Sequence, residues 1–334
     1  MDEIEPAAAY TPAPDLWLLT CYFNADGYRT KRANYDRFAL SLRRSHLRLL
    51  TVECAFPGQP FELPAGPDVL QFRARDVLWQ KERLLNLGLA HLPAACTKLA
   101  WLDCDVLFEN PDWAAETSRR LDRFPVVQPF ARAVRLPRGA DAYRATGDVW
   151  EGFAAVQARD PHALLSGRFD RHGHTGFAWA ARREVLAGPG FYDACVAGSG
   201  DHMMAHAFCG DWDSACIDRI IGGIAPDNRH RDWFAAWSRR IYPATRARVG
   251  YVPGAVLHLW HGDFTHRRYV DRNRELARFG FDPAVDLRIG PGGCWEWRSD
   301  KPELHRWARA YFGQRREDGE PAEAVGPDTE WRSA

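Results

Sequence analysis

Two carboxylates inside an apolar segment are the feature of this chain that most clearly suggests chemistry. Asp103 and Asp105 interrupt the run LAWLDCDVLF, residues 99–108. On one strand, residues i and i+2 project to the same side. Two like charges so close repel each other, and burying either one alone is costly. A divalent cation with oxygen ligands would remove both costs. The pair therefore predicts a metal site, with Asp105 as a direct ligand.

Two histidines further along the chain could complete such a site. His258 and His261 lie three residues apart in the segment HLWHG, at the end of an apolar run. On an extended strand they would point to opposite faces, so both can reach one metal only if the strand ends at Trp260. Imidazole ligands would favour Mn²⁺ over Mg²⁺. The alternative is that both histidines are structural residues.

The elements around the aspartates predict an α/β fold. Strands are predicted over 15–24, 46–56, 68–74 and 97–108, and amphipathic helices over 31–44 and 79–93. This alternation is typical of a mostly parallel sheet flanked by helices. The aspartates lie at the carboxyl end of the fourth predicted strand, and open α/β sheets bind ligands at that edge.

Composition excludes several classes of function. The chain of 334 residues has 44 basic and 44 acidic residues, and this balance argues against a nucleic-acid partner. No apolar run approaches the length of a membrane span, and the acidic N-terminus does not resemble a signal peptide. The eight cysteines form no CxxC pair, so free thiols and a cytoplasmic location are expected.

Five segments, in this order, resemble GT-A glycosyltransferases, namely the β-1,4-galactosyltransferase-like and family 2-like nucleotide-sugar transferases with a DxD motif. They are TCYFN (20–24), WQKERLLNLG (79–88), WLDCDVLF (101–108), TGFAWAARREVLAGPGFYDACVAGSGD (175–201) and HLWHG (258–262). The resemblance implies a Rossmann-like, mixed and mostly parallel sheet in a single compact domain. It divides the chain into a disordered lead-in (1–14), a nucleotide-sugar-binding half (15–130), an acceptor-binding and metal-completing half (131–312) and a polar tail (313–334).

The resemblance also implies a donor site. The donor would be a UDP-sugar carrying galactose, glucose or an N-acetyl form, and Mn²⁺ or Mg²⁺ would neutralise its diphosphate. Asp103 would ligate the metal, or bind ribose or a metal-bound water. Lys81 and Arg83 would contact the diphosphate as fixed cations, unless Arg83 lies on a solvated helix face. Three polar residues of the first segment would bind the nucleotide: Thr20, Tyr22 and Asn24.

The acceptor hydroxyl would need a general base, for which Asp201 is the first candidate and the adjacent His202 the second. A helix N-cap is the other interpretation of Asp201. The galactosyltransferase-like pattern has Gly-Gly-Glu-Asp where this chain has GSGDH, residues 198–202. A single displacement would invert the anomeric centre.

The acceptor would be a carbohydrate, a lipid-linked sugar, a small molecule or a protein, bound by His174, Thr175 and Trp179. The other interpretation of Trp179, and the favoured one, is a buried residue of a core strand.

Two other classes of function remain open. A phosphatase of the haloacid-dehalogenase type also uses Asp-x-Asp after an apolar strand, although that family usually carries the pair on its first strand. A protein that binds sugar nucleotides without turnover would keep the fold and lose the chemistry. The sequence leaves the oligomeric state undetermined.

Overall fold

The computed structural model describes residues 9–142, 148–163, 171–222, 229–269 and 271–319. The strands of this part of the chain, in chain order, are β1 (Leu16–Phe23), β2 (Arg48–Ala55), β3 (Val69–Arg73), β4 (Lys98–Leu102), β5 (Val106–Phe108), β6 (Val126–Gln128), β7 (Arg132–Arg135), β8 (Asp148–Glu151), β9 (Ala178–Arg182), β10 (Val249–Tyr251), β11 (Ala255–His258), β12 (Leu287–Ile289) and β13 (Trp295–Trp297).

Seven of these strands form one mixed sheet in the order β10-β6-β9-β4-β1-β2-β3. Its pairs are parallel except where β9 lies antiparallel between β4 and β6. A four-stranded sheet has the order β5-β11-β7-β8, and β12 pairs with β13 alone. The prediction of a single α/β domain with a mostly parallel sheet is confirmed.

Helices of the described residues pack on both faces of the large sheet. In chain order, the helices are α1 (Arg29–Arg44), α2 (Lys81–His91), α3 (Trp113–Leu121), α4 (Phe153–Arg159), α5 (Arg183–Leu186), α6 (Gly200–Phe208), α7 (Ala215–Ile221), α8 (Arg229–Thr245), α9 (Asp271–Arg278), α10 (Pro283–Asp286) and α11 (Pro302–Gln314). None of them, within this part of the chain, is both long and apolar enough to cross a membrane.

Helix α2 lies unusually close to the sheet, and this position fixes the start of the helix. Its own residues Leu84 and Leu85 are buried in the core between the helix and the sheet. A Cβ added at Gly88 would lie 2.4 Å from the side chain of Leu19 on β1, so glycine permits this close approach. The first residue of α2, Lys81, is thereby held beside the carboxyl edge of the sheet.

The fourth predicted strand, 97–108, is wrong in its extent. Strand β4 ends at Leu102, residues 103–105 turn, and β5 starts at Val106 in the smaller sheet. The backbone N–H of Asp103 donates to the carbonyl of Phe177 at 2.7 Å, and β5 then pairs with β11. One apolar run therefore serves two sheets, and both aspartates lie at the corner between them instead of on one strand.

The predicted ends of the folded domain also need correction. Tyr10, in the predicted lead-in, is buried and meets Phe108 and Trp113 edge to face. Arg315 and Glu317, in the predicted tail, are 4% and 1% exposed. The sequence around these three residues is polar or Pro-rich, but long-range contacts bury their side chains. The eight cysteines are all free thiols, as expected from the sequence.

Candidate active site

Lys81 joins two carboxylates that come from distant parts of the chain. Its Nζ lies 2.5 Å from Oδ1 of Asp103, just after β4, and 2.5 Å from Oδ2 of Asp201, in the first turn of α6. Burial alone would lower the pKa of Lys81, but the surrounding carboxylates outweigh burial and hold that pKa well above its ordinary value. Lys81 is therefore a permanent cation at the carboxyl edge of the sheet.

A third acidic residue, Glu82, makes this cluster richer in acid than in base. Burial is the main reason that the pKa of Glu82 rises to about 8, with Asp201 and Asp103 raising it further against the effect of Lys81. Burial likewise raises the pKa of Asp103 to about 6, again opposed by Lys81 and reinforced by Asp201 and Asp105. The sequence analysis missed Glu82, although its position beside Lys81 in the motif was a usable signal.

The pKa of Glu82 predicts a specific dependence of stability on pH. Its folded pKa of about 8 exceeds the ordinary value of 4.5, so the folded state binds more protons between these limits and loses stability as pH rises through them. Glu82→Gln should escape this loss. We expect the variant to gain free energy of unfolding relative to wild type between about pH 5 and about pH 8, and no more above that.

Urea unfolding of both proteins across this pH range provides the measurement. Glu303→Gln is the matched control, because the side chain of Glu303 is 78% exposed on α11. A constant difference between Glu82→Gln and wild type at every pH would show that Glu82 has the same pKa in both states.

A second cluster lies at the other side of the turn. Asp105, His258 and His261 each offer a ligand atom, and these atoms lie within 4.8 Å of one another. His261 Nε2 is 3.0 Å from Asp105 Oδ2, and His258 Nε2 is 3.8 Å from Asp105 Oδ1. Because β11 ends at His258, the chain turns before Trp260 and brings His261 back to the same side. The strand thus ends two residues before Trp260, the end that the spacing called for, and the two histidines lie on the same side.

The polar atoms of this cluster fit a divalent cation. Within the described part of the chain, Asp105 Oδ1 is buried without a hydrogen-bond partner, and the two histidine Nε2 atoms face each other at 2.9 Å. Burial opposes ionisation of Asp105, but His261, His258 and Arg267 hold its pKa well below the ordinary value. Burial holds the pKa of His258 well below its ordinary value. An ionised carboxylate and imidazole nitrogens are suitable ligands for Mn²⁺.

Glu317 supports this cluster from a segment predicted to be tail. Its Oε1 lies 3.5 Å from Nδ1 of His261 and 2.5 Å from Nε of Arg315. A carboxylate at the far nitrogen of a metal-binding histidine fixes the ring orientation and tautomer. The polar composition around Glu317 gave no signal of this contact, which depends on tertiary packing.

The loop before β9 approaches both clusters. The ring of His174 stacks on Phe177 at 4.2 Å between centroids, and Phe177 stacks on His258 at 4.7 Å. A Cβ added at Gly176 would lie 3.2 Å from the His174 ring and 3.8 Å from Asp201 Oδ2. Burial, with a smaller effect of Arg135, lowers the pKa of His174 to about 3, so its ring is neutral. Thr175 is half-buried in the same loop.

Two residues with a strained, left-handed backbone lie beside the two aspartates bonded to Lys81. Phe177, whose carbonyl accepts from Asp103, has φ 81°, and Ser199, two residues before Asp201, also has φ 81°. Residues other than glycine rarely adopt this left-handed backbone conformation. Such strain tends to occur at functional sites. Ser199 occupies the N-cap position of α6 but does not cap the helix with its side chain, which accepts from Arg272 at 2.8 Å. Asp201 is likewise not the N-cap.

Four predicted site residues do not fit their predicted roles. Thr20 is fully buried and donates to the carbonyl of Leu102, so it cannot reach a nucleotide. Arg83 donates to the carbonyl of Gly293 and pairs with Asp193, because residues i and i+2 of a helix point apart and Lys81 takes the side of the aspartates.

Trp179 and His202 are the other two. Trp179 is 1% exposed and donates to the carbonyl of Thr175, so no ring face is available to a sugar. The ring of His202 lies 4.3 Å from that of His206 and 5.2 Å from that of His172, in a buried histidine cluster. One residue along α6 is a rotation of about 100°, which separates His202 from Asp201.

Tyr22 and Asn24 shape the loop that follows β1. The Tyr22 hydroxyl donates to Glu62 at 2.5 Å, and the Asn24 side chain exchanges two hydrogen bonds with the backbone of Tyr28. Tyr28 and Glu62 line a cavity of about 420 Å³ beside this loop. Both residues are thus placed to hold a pocket wall in position.

Comparison with known proteins gives structural likenesses alone. No protein-family model matches the sequence, and no curated protein matches it significantly. Among solved structures, the catalytic domain of Drosophila β1,4-galactosyltransferase 7 in complex with xylobiose matches with TM-score 0.31 and 13% identity. This match covers 57% of the present chain and 58% of the Drosophila chain.

Three further structures match over more of the chain. Glucosyl-3-phosphoglycerate synthase from M. tuberculosis matches with TM-score 0.38 and 11% identity over 86% of this chain and 90% of its own. The same enzyme has been solved with Mn²⁺, uridine diphosphate and glucosyl-3-phosphoglycerate, and that structure matches with TM-score 0.35 and 11% identity over 82% and 83% of the chains. 4-Diphosphocytidyl-2C-methyl-D-erythritol synthase from Anaerococcus prevotii matches with TM-score 0.31 and 8% identity over 79% and 96%.

Proposed function

We propose that this protein is a metal-dependent glycosyltransferase that moves a hexose from a UDP-sugar to an acceptor hydroxyl with inversion. One observation carries the proposal. A metal-ligand set and a carboxylate–lysine set meet at a single corner of the sheet, because Asp103 faces Lys81 and Asp201 while Asp105 faces His258 and His261. Transfer from a nucleotide diphosphate needs both sets.

The donor side would use the cluster around Asp105. When bound, a divalent cation such as Mn²⁺ supplies positive charge at the diphosphate leaving group. Asp105, His258 and His261 would hold the ion, and Glu317 would orient His261. Lys81 offers the departing diphosphate a second, fixed cation, since a phosphate oxygen could replace Asp103 at its Nζ while the contact with Asp201 is kept.

The acceptor side would use the unequal oxygens of Asp201. Oδ2 accepts from Lys81, whereas Oδ1 is buried and has no hydrogen-bond partner within the described residues. The first contact fixes the carboxylate, and the second oxygen remains available to take the proton of a hydroxyl. Such a base typically contributes ~10²–10⁴-fold to the rate. Attack from this side, opposite the leaving diphosphate, inverts the anomeric centre.

The acceptor and the setting follow from the same residues. His174 and Thr175 lie in the loop nearest to Asp201 and would bind a carbohydrate, lipid-linked sugar or other hydroxyl compound. Tyr22 and Asn24 would support the nucleotide pocket. All eight cysteines are thiols, and we therefore propose a reducing, cytoplasmic location.

A panel of substrates separates the three candidate functions. The protein is incubated with Mn²⁺ and each UDP-sugar, with and without simple sugars as acceptors, and UDP, free sugar and new glycosides are measured. The proposal predicts UDP release with one donor, through transfer to a sugar or slowly to water. Release of inorganic phosphate from phosphomonoesters alone would indicate a phosphatase, and binding without any product would indicate a sugar-nucleotide-binding protein.

The two histidines give a prediction that concerns the metal directly. His258→Ala or His261→Ala should raise the Mn²⁺ concentration needed for half-maximal activity by about 10-fold or more, the scale of losing a ligand or its support. Activity is measured against Mn²⁺ concentration, with His91→Ala as control because His91 is exposed at the end of α2. Curves for both variants that overlay wild type would identify the two histidines as structural residues.

A further inference from the structure

A second group of metal-binding side chains lies in the core. His172, His202, His206 and Cys216, here called the His₃Cys cluster, each offer one ligand atom, and these atoms lie within 4.8 Å of one another. All four residues are at most 6% exposed. We propose that the His₃Cys cluster is a structural zinc site, distinct from the cluster around Asp105.

Secondary structure brings these four residues together. His202 and His206 are four residues apart on α6, which places both on one face of the helix. Cys216 is in the first turn of α7, and His172 lies in the loop before β9. The ring centroids of the three histidines lie 4.3–5.2 Å apart. Tetrahedral zinc with bonds of about 2.0–2.3 Å needs ligands roughly 3.4–3.8 Å apart, so a contraction of about 1 Å would close the site.

The far nitrogens of two histidines already have the partners that metal-binding histidines use. Nδ1 of His206 lies 2.6 Å from Oδ2 of Asp211, and Nδ1 of His172 lies 2.9 Å from the carbonyl of Gly173. Carbonyl and carboxylate oxygens only accept, so each Nδ1 is the donor, and in the neutral ring each Nε2 carries a lone pair. Carboxylate and carbonyl partners of this kind fix the tautomer and orientation of zinc ligands.

His206 provides the observation that points most directly to a missing cation. Its side chain is fully buried, and its Nε2 has no hydrogen-bond partner among the residues that the structure describes. A buried polar atom is normally paired, since leaving it unpaired costs about 1–3 kcal/mol. His206 belongs to the His₃Cys cluster, and a zinc ion held there would pair the lone pair of its Nε2.

The donor set selects zinc over Mn²⁺ or Mg²⁺. Thiolate and imidazole ligands suit zinc, whereas Mg²⁺ and Mn²⁺ are commonly held by oxygen ligands. On binding, the thiol of Cys216 releases its proton to solvent and forms the metal–sulfur bond. The thiolate and the Asp211 carboxylate then offset the two charges of Zn²⁺. Four protein ligands leave no open position, which is typical of a structural site.

The position of the cluster suggests what the zinc does. It would tie α6 to α7 and to the loop that continues from His172 to His174. Helix α6 carries Asp201 in its first turn, so the ion would fix the orientation of the proposed base. This consequence rests on the proposed function, but the zinc site itself does not.

Metal analysis of purified protein tests the inference. The His261→Ala variant, which disables the other cluster, is expressed with added zinc, dialysed and analysed, and we expect about one zinc per chain. Zinc should be lost from Cys216→Ser and from His206→Asn in this background. It should be retained in two controls that replace buried or half-buried residues outside the cluster, Cys209→Ser and His230→Asn. Absence of zinc from the otherwise unaltered His261→Ala protein would overturn the inference, whether or not the other variants fold.

A milder variant tests the supporting contact. Asp211→Asn keeps the shape of the side chain but removes the charge beside His206, and it should weaken zinc affinity by ~10–100-fold in competition with a chromogenic chelator. Cobalt-substituted protein should show thiolate-to-metal absorption that Cys216→Ser abolishes. Equal zinc affinity in Asp211→Asn and its parent would contradict the assigned role of Asp211. If the protein holds zinc but transfers no sugar, the zinc site is supported and the proposed function is contradicted. If it transfers sugar but holds no zinc, the proposed function is supported and the zinc site is contradicted.

Discussion

Replacement of Asp105 by alanine is expected to abolish sugar transfer and to remove the Mn²⁺-dependent part of UDP binding. Asp105 is the carboxylate that faces both histidines of the cluster, and its Oδ1 accepts no hydrogen bond from the residues described in the structure. A metal at a transferring phosphate supplies several kcal/mol of charge stabilisation, so the loss should exceed ~10²-fold in kcat/KM.

Isothermal titration of UDP with and without Mn²⁺ measures the binding part of this prediction. The wild type should bind UDP more tightly with Mn²⁺, and Asp105→Ala should bind it equally in both conditions. Asp122→Ala is the control, since the side chain of Asp122 is 64% exposed at the end of α3. If the variant keeps the Mn²⁺-linked UDP affinity of wild type, Asp105 is not a ligand of the ion that serves the donor.

Replacement of Asp201 by asparagine should separate turnover from donor binding. Asparagine matches the shape of aspartate but cannot take up the acceptor proton. A general base acts in the transition state and contributes little to ground-state binding of the donor. We therefore expect kcat to fall by ~10²–10⁴-fold while the affinity for UDP-sugar and Mn²⁺ stays near that of wild type.

Single-turnover assays with saturating donor, together with donor titrations, provide the measurement. Asp193→Asn is a useful comparison, because Asp193 also pairs with a basic residue of α2 but lies away from the two clusters, against Arg83 and Asn86. If Asp201→Asn retains more than about a tenth of wild-type kcat, its loss is below the range of a general base. Asp201 would then serve only to hold Lys81.

The parts of the site that lie in local motifs were predictable from sequence. The alternation of apolar runs indicated the parallel sheet and its first three strands. Asp103 and Asp105 were recognisable because they interrupt an apolar run. Asp201 was recognisable because it ends the segment GSGD, residues 198–201. The spacing of His258 and His261 also indicated that their strand must end early if both are to reach one metal. Strand β11 ends at His258.

The rest depended on contacts that no local pattern records. The run 99–108 reads as one strand because apolar periodicity does not show a change of sheet at a corner. Glu317 approaches His261 from a polar segment whose composition resembles a tail. The His₃Cys cluster unites three elements, and its members show no recognisable metal-binding spacing beyond the pair on α6. Arg83 and Trp179 were misassigned because a motif match does not reveal the direction of a side chain.

The central claim is that Asp105, His258 and His261 hold the divalent ion that binds the donor diphosphate. Anomalous diffraction at the manganese edge, from crystals grown with Mn²⁺ and UDP, measures this directly. The account predicts a peak bounded by the Asp105 carboxylate, at least one of the two histidine Nε2 atoms and oxygens of the UDP diphosphate. UDP bound with no manganese among these three residues, or manganese bound elsewhere beside the diphosphate, would contradict it.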